Sequence, residues 1–438
     1  LASIRFASPA MAKEGACPFK PSSGMGLPEA MSPTTVETVD ATAGAVAPNA
    51  LDITKTFYGG LIDAMPEVIL QFFNPAHNVP VSDTQPKALA GSVCAYAGNI
   101  KDLSPLLVPG GAVDAINHRH CALNILPAHY PIVHDHLMAA IGKVLGAAVT
   151  PEVAAAWSEA VLFLAGVCID KEEALYAEYE QRRGGWRGMK DFKVQAIKEA
   201  AVGIKTFTFE PVEPTDGFDF TEGQYLTIKV DPQGDNLTAP RHYTVTSAPG
   251  EKFLECTVKK IAGGKVSTYL HEQLKVGDTV QLMPPYGVFT LDTAFDSAVL
   301  LSAGIGVTPM VNFNRALGDK VKLAVHVDKT PEAFAFRSEL EASLPPEKLL
   351  LKYTQVPSPP RAPRCCWGEQ GGGGRPSAAA LAKEVVDAAG TANLFYICGP
   401  EAWMEEMQSE LLQLGAKKVM CEVFGSQLAT GCPFAAAA

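Results

Sequence analysis

The chain has 438 residues, 47% of them hydrophobic and 19% charged, with a formal net charge of -11. At ~150 residues per domain that length suggests about three domains, with apolar content for substantial cores. The acidic balance argues against a nucleic-acid protein, which would carry a basic face, and no uninterrupted apolar run approaches the ~18–20 residues that span a bilayer.

Residues 1–50 are rich in Ala, Pro, Ser and Thr and read as a flexible N-terminal extension. Within it, residues 1–13 hold Arg5 and Lys13, two serines and no acid. That is the composition of a transit-peptide remnant, which would place the protein in a mitochondrion or plastid; an uncleaved leader has the same composition. The ten cysteines include no CxxC pair, and only Cys365-Cys366 are adjacent. This pattern fits reduced thiols in the cytoplasm better than a disulfide frame or a zinc site. Cys17-Pro18-Phe19 recurs as Cys432-Pro433-Phe434, and no physical account of that repeat follows from the residues.

From 51 to 185 the pattern turns helical, with prolines at segment starts or in connections, as at Pro127 and Pro151. Ile116, His120 and Leu123 share one helical face, which puts an imidazole in an apolar stripe. Taken alone, such a histidine is more often a satisfied core residue than a ligand. Trp157, Val161, Leu164, Cys168, Glu172 and Leu175 share another face, so a carboxylate also lies in an apolar stripe, and a lone buried charge costs several kcal/mol. Tyr130 aligns with Leu137, Ile141 and Val144. His118, His134 and His136 lie near the same region, but His134 and His136, at i, i+2 on a helix, cannot both face one metal, and these histidines read as a solvated edge.

Gly184-Gly185-Trp186-Arg187-Gly188 breaks the helical pattern and reads as a linker. Over 186–295 the chain alternates: Leu226, Ile228 and Val230 point one way, Thr227 and Lys229 the other, as in a half-buried strand. Several such runs between Gly, Pro and Asp turns predict a small antiparallel barrel. Over 296–438 apolar strands such as 298–302 and 321–327 alternate with helical segments, the pattern of a parallel α/β sheet. Residues 357–376, with Ser-Pro-Pro, Cys-Cys and four consecutive glycines, read as a disordered insertion between a strand and a helix. Met404 and Met407 read as packing residues.

Two groups of residues in the second half carry candidate chemistry. Tyr225, in Gly223-Gln224-Tyr225-Leu226, precedes Arg241-His242-Tyr243-Thr244, and Gly263-Gly264-Lys265-Val266-Ser267 follows. A forked guanidinium suits a phosphate, a tyrosine face suits an isoalloxazine, and glycines let backbone amides approach a pyrophosphate, which makes Gly264, Val266 and Ser267 candidate cofactor-binding residues. Each piece alone is also ordinary strand-and-turn chemistry; together and in this order they point to a flavin. Gly304 and Gly306, followed by Thr308 and Pro309, lead from a strand into a helix whose N-terminus attracts phosphate. Cys398-Gly399-Pro400 after the strand 394–397, and Glu422-Val423-Phe424-Gly425 near the end, support that second site.

On these motifs residues 190–426 resemble the ferredoxin–NADP reductase superfamily, and Phe424 falls on the aromatic that packs against the flavin there. The helical half resembles a globin, and residues 51–426 together resemble the flavohaemoglobins. The resemblance implies an all-α haem domain, a six-stranded antiparallel FAD barrel and a parallel α/β nicotinamide domain. It places the proximal iron ligand on His120, the distal tyrosine on Tyr58, the haem-wedging phenylalanine on Phe73, and the distal glutamine and leucine on Gln85 and Leu89. Tyr130 and Glu172 fall on the proximal pair, and a Tyr130–Glu172 pair bonded toward His120 would satisfy both and strengthen the imidazole as a donor. The implied cofactors are haem b, FAD and NADH or NADPH, the implied substrates O2 and NO, and the implied activity is nitric oxide dioxygenase, giving nitrate. A monomer is expected, without nucleic-acid or transmembrane partners. Asp328, ending its strand, would repel a 2′-phosphate and favours NADH, although Lys329 follows directly. The N-terminal extension and the glycine-rich insertion depart from the family pattern. Other readings stay open: a haem-flavin reductase of lipid hydroperoxides, an O2 or NO sensor with a weak reductase, or a scavenging globin fused to a structural module.

Overall fold

The computed structural model describes residues 27–292, 294–355 and 376–422, with the side chain of Val68 left aside. The leader, both Cys-Pro-Phe segments, Cys365-Cys366, nearly all of the glycine-rich insertion and Phe424 lie outside the described residues.

The first half is helical: α1 (Pro33–Val46), α2 (Ala50–Ala64), α3 (Pro66–Ile69), α4 (Thr84–Gly98), α5 (Ala112–Ala122), α6 (Tyr130–Leu145) and α7 (Pro151–Gln181). Local chemistry starts and stops these helices. The Ser32 hydroxyl accepts from the Thr35 N–H with Pro33 in the first turn, and Thr150 caps α7 in the same way ahead of Pro151. Gly146, at φ +55°, ends α6.

Two expectations need correction here. Residues 1–50 are not all extension, because α1 belongs to the helical core. Val39 and Val46 are 0% and 2% exposed, the Trp157 indole donates to Thr42 Oγ1 at 2.9 Å, and the Thr35 hydroxyl donates to Glu159 at 2.6 Å. The small Ala, Thr and Gly residues that look like an unstructured segment are what let α1 lie close against α7, and only Val36, Val39 and Val46 mark its apolar side. Secondly, α7 is long and apolar enough, by length and composition, to cross a membrane. Glu152, Ser158, Glu159 and Asp170 hide this when only uninterrupted runs are counted. In the fold α7 packs against α1, α5 and α6, with Trp157, Ala160, Ala165, Cys168, Ile169 and Glu172 buried.

The second unit is the expected antiparallel barrel: β1 (Lys190–Ala201), β2 (Ile204–Pro211), β3 (Tyr225–Lys229), β4 (Arg241–Thr244), β5 (Leu254–Lys259), α8 (Lys265–Glu272) and β6 (Thr279–Tyr286). Its six strands run in the order β4-β3-β6-β1-β2-β5, and a bridge from Val245 to Cys256 joins the two ends. Phe192, Phe207, Phe209, Leu226, Ile228 and Leu282 fill it. Thr227, expected to face solvent, is buried as well and bonds His242 Nδ1 at 2.8 Å. The outer face of β3 is therefore covered, and the helical unit covers it: Tyr225, Met283 and Tyr286 share a cluster with Cys121, Ala122, Tyr176 and Tyr179. The glycine-rich linker is itself docked, with Trp186 buried and its indole donating to Leu282 O at 3.2 Å.

The third unit comprises β7 (Ala298–Ala303), α9 (Val307–Leu317), β8 (Val321–Asp328), α10 (Arg337–Ser343), β9 (Leu349–Tyr353), α11 (Ala378–Ala389), β10 (Leu394–Cys398), α12 (Glu401–Gln413) and β11 (Lys418–Glu422). All pairings are parallel, in the order β11-β10-β7-β8-β9. Every residue of β7 is buried, as a central parallel strand requires. The order reverses between β7 and β10, so a crevice opens at their carboxyl ends. Met404 and Met407 pack in this core, 1% and 0% exposed.

If α1 is docked as described, Thr42→Val strands the Trp157 indole N–H and lowers stability by about 1–3 kcal/mol. A denaturation midpoint unchanged from the parent would show that α1 contributes nothing to the core.

Candidate functional site

His120 lies in the last turn of α5, and α7 brings Glu172 to it. Glu172 Oε1 is 2.7 Å from His120 Nδ1, and the Tyr130 hydroxyl donates to the same oxygen at 2.6 Å while lying 3.2 Å from Nδ1. A carboxylate can only accept, so Nδ1 carries the imidazole proton and Nε2 keeps its lone pair. Glu172 is 2% exposed, and these two donors are what make a carboxylate tolerable there. Burial raises the Tyr130 phenol far above its ordinary range and pushes Cys168 beside it up to about 12, so both stay protonated.

α2 and α4 bring a second pair together. Gln85 Nε2 donates to the Tyr58 hydroxyl at 3.2 Å, and burial pushes Tyr58 up to about 12. One lone pair of Tyr58 is thus occupied while its O–H stays free to donate elsewhere. The Phe73 ring meets Tyr58 edge-on, centroids 5.4 Å apart, and Leu89 packs against the same cluster. Leu103 and Leu164 belong both to this cluster and to the one containing Ile116 and Tyr130, so the two groups adjoin.

These residues fit a haem. The His120 side chain is 34% exposed, with a free nitrogen, and Phe73, Leu89, Ile116 and Leu164 in the two adjoining clusters are half-buried apolar residues. Among the described residues no group of three or more His, Cys, Asp or Glu could hold a metal. A metal at His120 would need its remaining ligands from a group such as a porphyrin.

The barrel positions the flavin candidates by strand register: Tyr225 pairs with Thr244 and Leu226 with Tyr243. Arg241 is half-buried, with Nη1 donating to Ala239 O at 2.7 Å and Pro240 O at 3.0 Å. Two expectations change at Gly264. Val266 points into the barrel core, 2% exposed, and the Ser267 hydroxyl accepts from the Ile261 N–H at 3.2 Å, closing its own loop. What this turn can offer an anion is backbone: α8 begins without a side-chain cap, which leaves its first N–H groups bare. With Arg241 beside two tyrosine faces, the donor set suits a dinucleotide flavin.

At the crevice of the third unit, Gly304 adopts φ +56°, and a Cβ on Gly306 would lie 2.1 Å from Cys398 O. The Gly304–Gly306 loop and the Cys398-Gly399 turn therefore touch, and only glycine permits it. Thr308 donates to Ile305 O at 3.0 Å and tightens the loop, and Pro309 sits in the first turn of α9. Cys398 is fully buried with its thiol held protonated, so Gly399 is what this turn presents. Asp328 contradicts its expected part. It is 6% exposed and turned inward, accepting from the Lys329 N–H at 2.7 Å and lying 3.3 Å from His326 Nε2. His326 Nδ1 in turn meets Ser302 Oγ at 2.9 Å. Asp328 is committed to the interior and is not free to discriminate against a 2′-phosphate.

His118 departs from the solvated edge expected of it: it is buried, and at i, i+2 from His120 it faces the other side of α5. Its Nδ1 accepts from the Gly287 N–H at 3.1 Å, between the rings of Tyr179 and Tyr286. Gln224 Nε2 donates to the Tyr179 hydroxyl across the same junction. One helix therefore holds the candidate iron ligand on one side and the barrel on the other. His134 is less solvated than expected, since Nε2 is 2.8 Å from Ser158 Oγ.

Comparison with known proteins follows the same division. A globin family model matches residues 55–168, and an oxidoreductase FAD-binding domain model matches residues 191–291. The flavohemoprotein of Pseudomonas putida is 36% identical over 377 residues, covering 83% of this chain and 90% of that protein. The flavohemoprotein of Bacillus subtilis is 32% identical over 403 residues, covering 90% and 97%. The crystal structure of flavohemoglobin from Malassezia yamatoensis, with bound FAD and heme, matches at a TM-score of 0.74 and 28% identity, covering 90% of this chain and 100% of that one.

The buried imidazoles make a pH prediction. Burial holds His77, His118, His129, His271 and His326 below the ordinary histidine range, and burial, then Arg119 and Arg241, bring His242 to about 3. Below about pH 6.5 the unfolded chain takes up protons that the folded chain refuses, so folding stability falls as pH falls. Denaturant midpoints at about pH 7 and about pH 5 check this; an equal or higher midpoint at the lower pH would contradict it.

Proposed function

The chain belongs to the flavohemoprotein family, and from that premise we propose that it is a nitric oxide dioxygenase, joining NO to O2 to give nitrate with electrons from NADH or NADPH. The Tyr130–Glu172–His120 arrangement is the observation that carries this reading. Haem b, when bound, supplies the iron at which the two gases meet, and FAD supplies the division of a hydride's electron pair into single electrons. The rest is the work of this chain's residues.

His120 presents Nε2 as the ligand atom because Glu172 holds the proton of Nδ1. The carboxylate also strengthens that nitrogen as a donor, which favours repeated chemistry over passive gas carriage. Tyr130 donates to the same oxygen and fixes the carboxylate, and with it the imidazole plane. In the second group Gln85 fills one lone pair of Tyr58, so the Tyr58 O–H is the donor left for a polar ligand. A hydrogen bond to a charged acceptor is worth ~1.5–3 kcal/mol, about tenfold or more in a dissociation rate. Phe73 and Leu89 provide apolar walls that keep water away from that donor.

Arg241 and the uncapped start of α8 supply positive potential for the FAD pyrophosphate, with the faces of Tyr225 and Tyr243 for the flavin ring and Thr244 at the strand end. Phe424 keeps the flavin-packing part that the family resemblance assigns it. The Gly304–Gly306 loop, Thr308, Pro309 and the Cys398-Gly399 turn form the dinucleotide mouth. With Asp328 turned inward, this mouth accepts NADPH as well as NADH. The described free cysteines Cys94, Cys121, Cys168, Cys256, Cys398 and Cys421 support a reducing, cytoplasmic setting.

The direct test is an absorption spectrum of the purified protein without oxygen, before and after NADH. A Soret band with a flavin shoulder that bleaches, followed by ferrous haem bands, is expected; no flavin, or a haem spectrum that NADH leaves unaltered, would overturn the reading. Tyr58→Phe retains both cofactors and releases oxygen about tenfold faster. Because Tyr58 keeps its proton to about pH 12, the parent's oxygen release rate stays flat from about pH 6 to about pH 10. Arg241→Ala loses FAD while the globin spectrum survives, and stoichiometric FAD in that variant would remove Arg241 from the phosphate site. Asp328→Ala leaves the NADH to NADPH preference within about threefold of the parent, as measured by kcat/KM.

A further inference from the structure

The helix that starts the nicotinamide site is tied to the strand that ends the flavin site by polar side chains, one of them fully buried. α9 leaves the Gly304–Gly306 loop directly. On it Asn312, 1% exposed, donates through Nδ2 to Val245 O at 2.7 Å and Ser247 O at 3.3 Å. Arg315, at i+3 on the same face, donates through Nη1 to Thr246 O at 2.6 Å and to Asn312 Oδ1 at 2.9 Å. Its remaining nitrogens pair with Glu339 on α10 at 2.6 and 2.8 Å. Two side chains thus engage the carbonyls of three successive residues, Val245, Thr246 and Ser247, immediately after Arg241–Thr244. On the barrel side that segment is held equally firmly, with the Val245 N–H donating to Gln224 O at 3.0 Å and the Thr246 N–H to Glu255 O at 2.7 Å. Apolar packing between two domains tolerates sliding; directional bonds do not, least of all those of Asn312, which are buried at both ends.

We propose that Asn312 and Arg315 are positioning residues for hydride transfer, setting the dinucleotide loop against the flavin strand. The inference rests on reading Gly304–Gly306 as the dinucleotide site and Arg241–Thr244 as the flavin site. In the step they serve, a C–H bond of the dihydronicotinamide breaks, its hydrogen passes with both electrons to the flavin, and oxidised nicotinamide leaves; no further reactant enters. Misplacement of reacting groups by about 1 Å costs roughly a hundredfold in rate, so a loosened tie acts on the rate rather than on binding.

The test uses the full-length holoprotein with Asn312→Leu and Arg315→Met, and with Glu339→Gln, which leaves the barrel contacts in place. Flavin reduction at saturating NADH is followed by anaerobic stopped flow, NAD+ affinity by equilibrium titration, and backbone mobility by amide exchange over residues 245–247. Asn312→Leu slows flavin reduction about tenfold or more, keeps stoichiometric FAD, holds NAD+ affinity within about threefold, and speeds amide exchange at Val245–Ser247. Arg315→Met acts in the same direction by about threefold to tenfold and decides the matter if Asn312→Leu does not fold. Glu339→Gln stays within about threefold of the parent. Flavin reduction within about twofold of the parent in Asn312→Leu and Arg315→Met, unchanged amide exchange, or a loss of rate matched by an equal loss of NAD+ affinity would overturn the proposal. A parent protein whose flavin NADH does not bleach would overturn the underlying reading as well, before any variant is compared.

Discussion

A buried carboxylate governs the helical half of this protein. Glu172 is buried in an apolar stripe of α7, where an unpartnered charge would cost several kcal/mol. The imidazole of His120 and the hydroxyl of Tyr130 meet that demand together. The same bonds that make the carboxylate tolerable dictate which nitrogen of His120 keeps its proton and which is free. Stability and chemistry are set by one arrangement, and neither Tyr130 nor Glu172 has to touch a substrate to matter.

From that centre the molecule works outward through shared elements. α5 carries His120 toward the pocket and His118 toward the barrel, where Gly287 and the rings of Tyr179 and Tyr286 receive it. The barrel strand bearing Arg241–Thr244 continues into Val245–Ser247, which Asn312 and Arg315 grip from α9. A path of directly bonded elements therefore runs from the crevice at β7 and β10 to the helix that carries the imidazole.

How much of this was legible depended on whether a residue's environment could be inferred from its own neighbours in the chain. Glu172 was readable because period 3.6 placed it among Trp157, Leu164 and Cys168. The parallel sheet was readable because β7 is apolar throughout, and the glycines at 304 and 306 announced a close approach. α1 was not, because its alanines, threonines and glycine resemble an extension until α7 is laid against them. Asn312, Arg315 and His118 look like ordinary helix-surface residues; only the partner domain buries Asn312 and His118 and gives Arg315 its carbonyl. Asp328 had the right type at the end of the right strand, yet His326, two residues earlier, draws it inside. Val266 and Ser267 show the same limit, since the turn uses their backbone while their side chains serve the barrel.

The central claim is that these domains form one electron path ending in the oxidation of NO. The most direct measurement is the stoichiometry of NADH, NO and O2 consumed and nitrate formed by the purified holoprotein under air. Two NO and two O2 consumed and two nitrate formed for each NADH is the expected result. NADH oxidation that proceeds without nitrate, or that responds to a lipid hydroperoxide and not to NO, would contradict it.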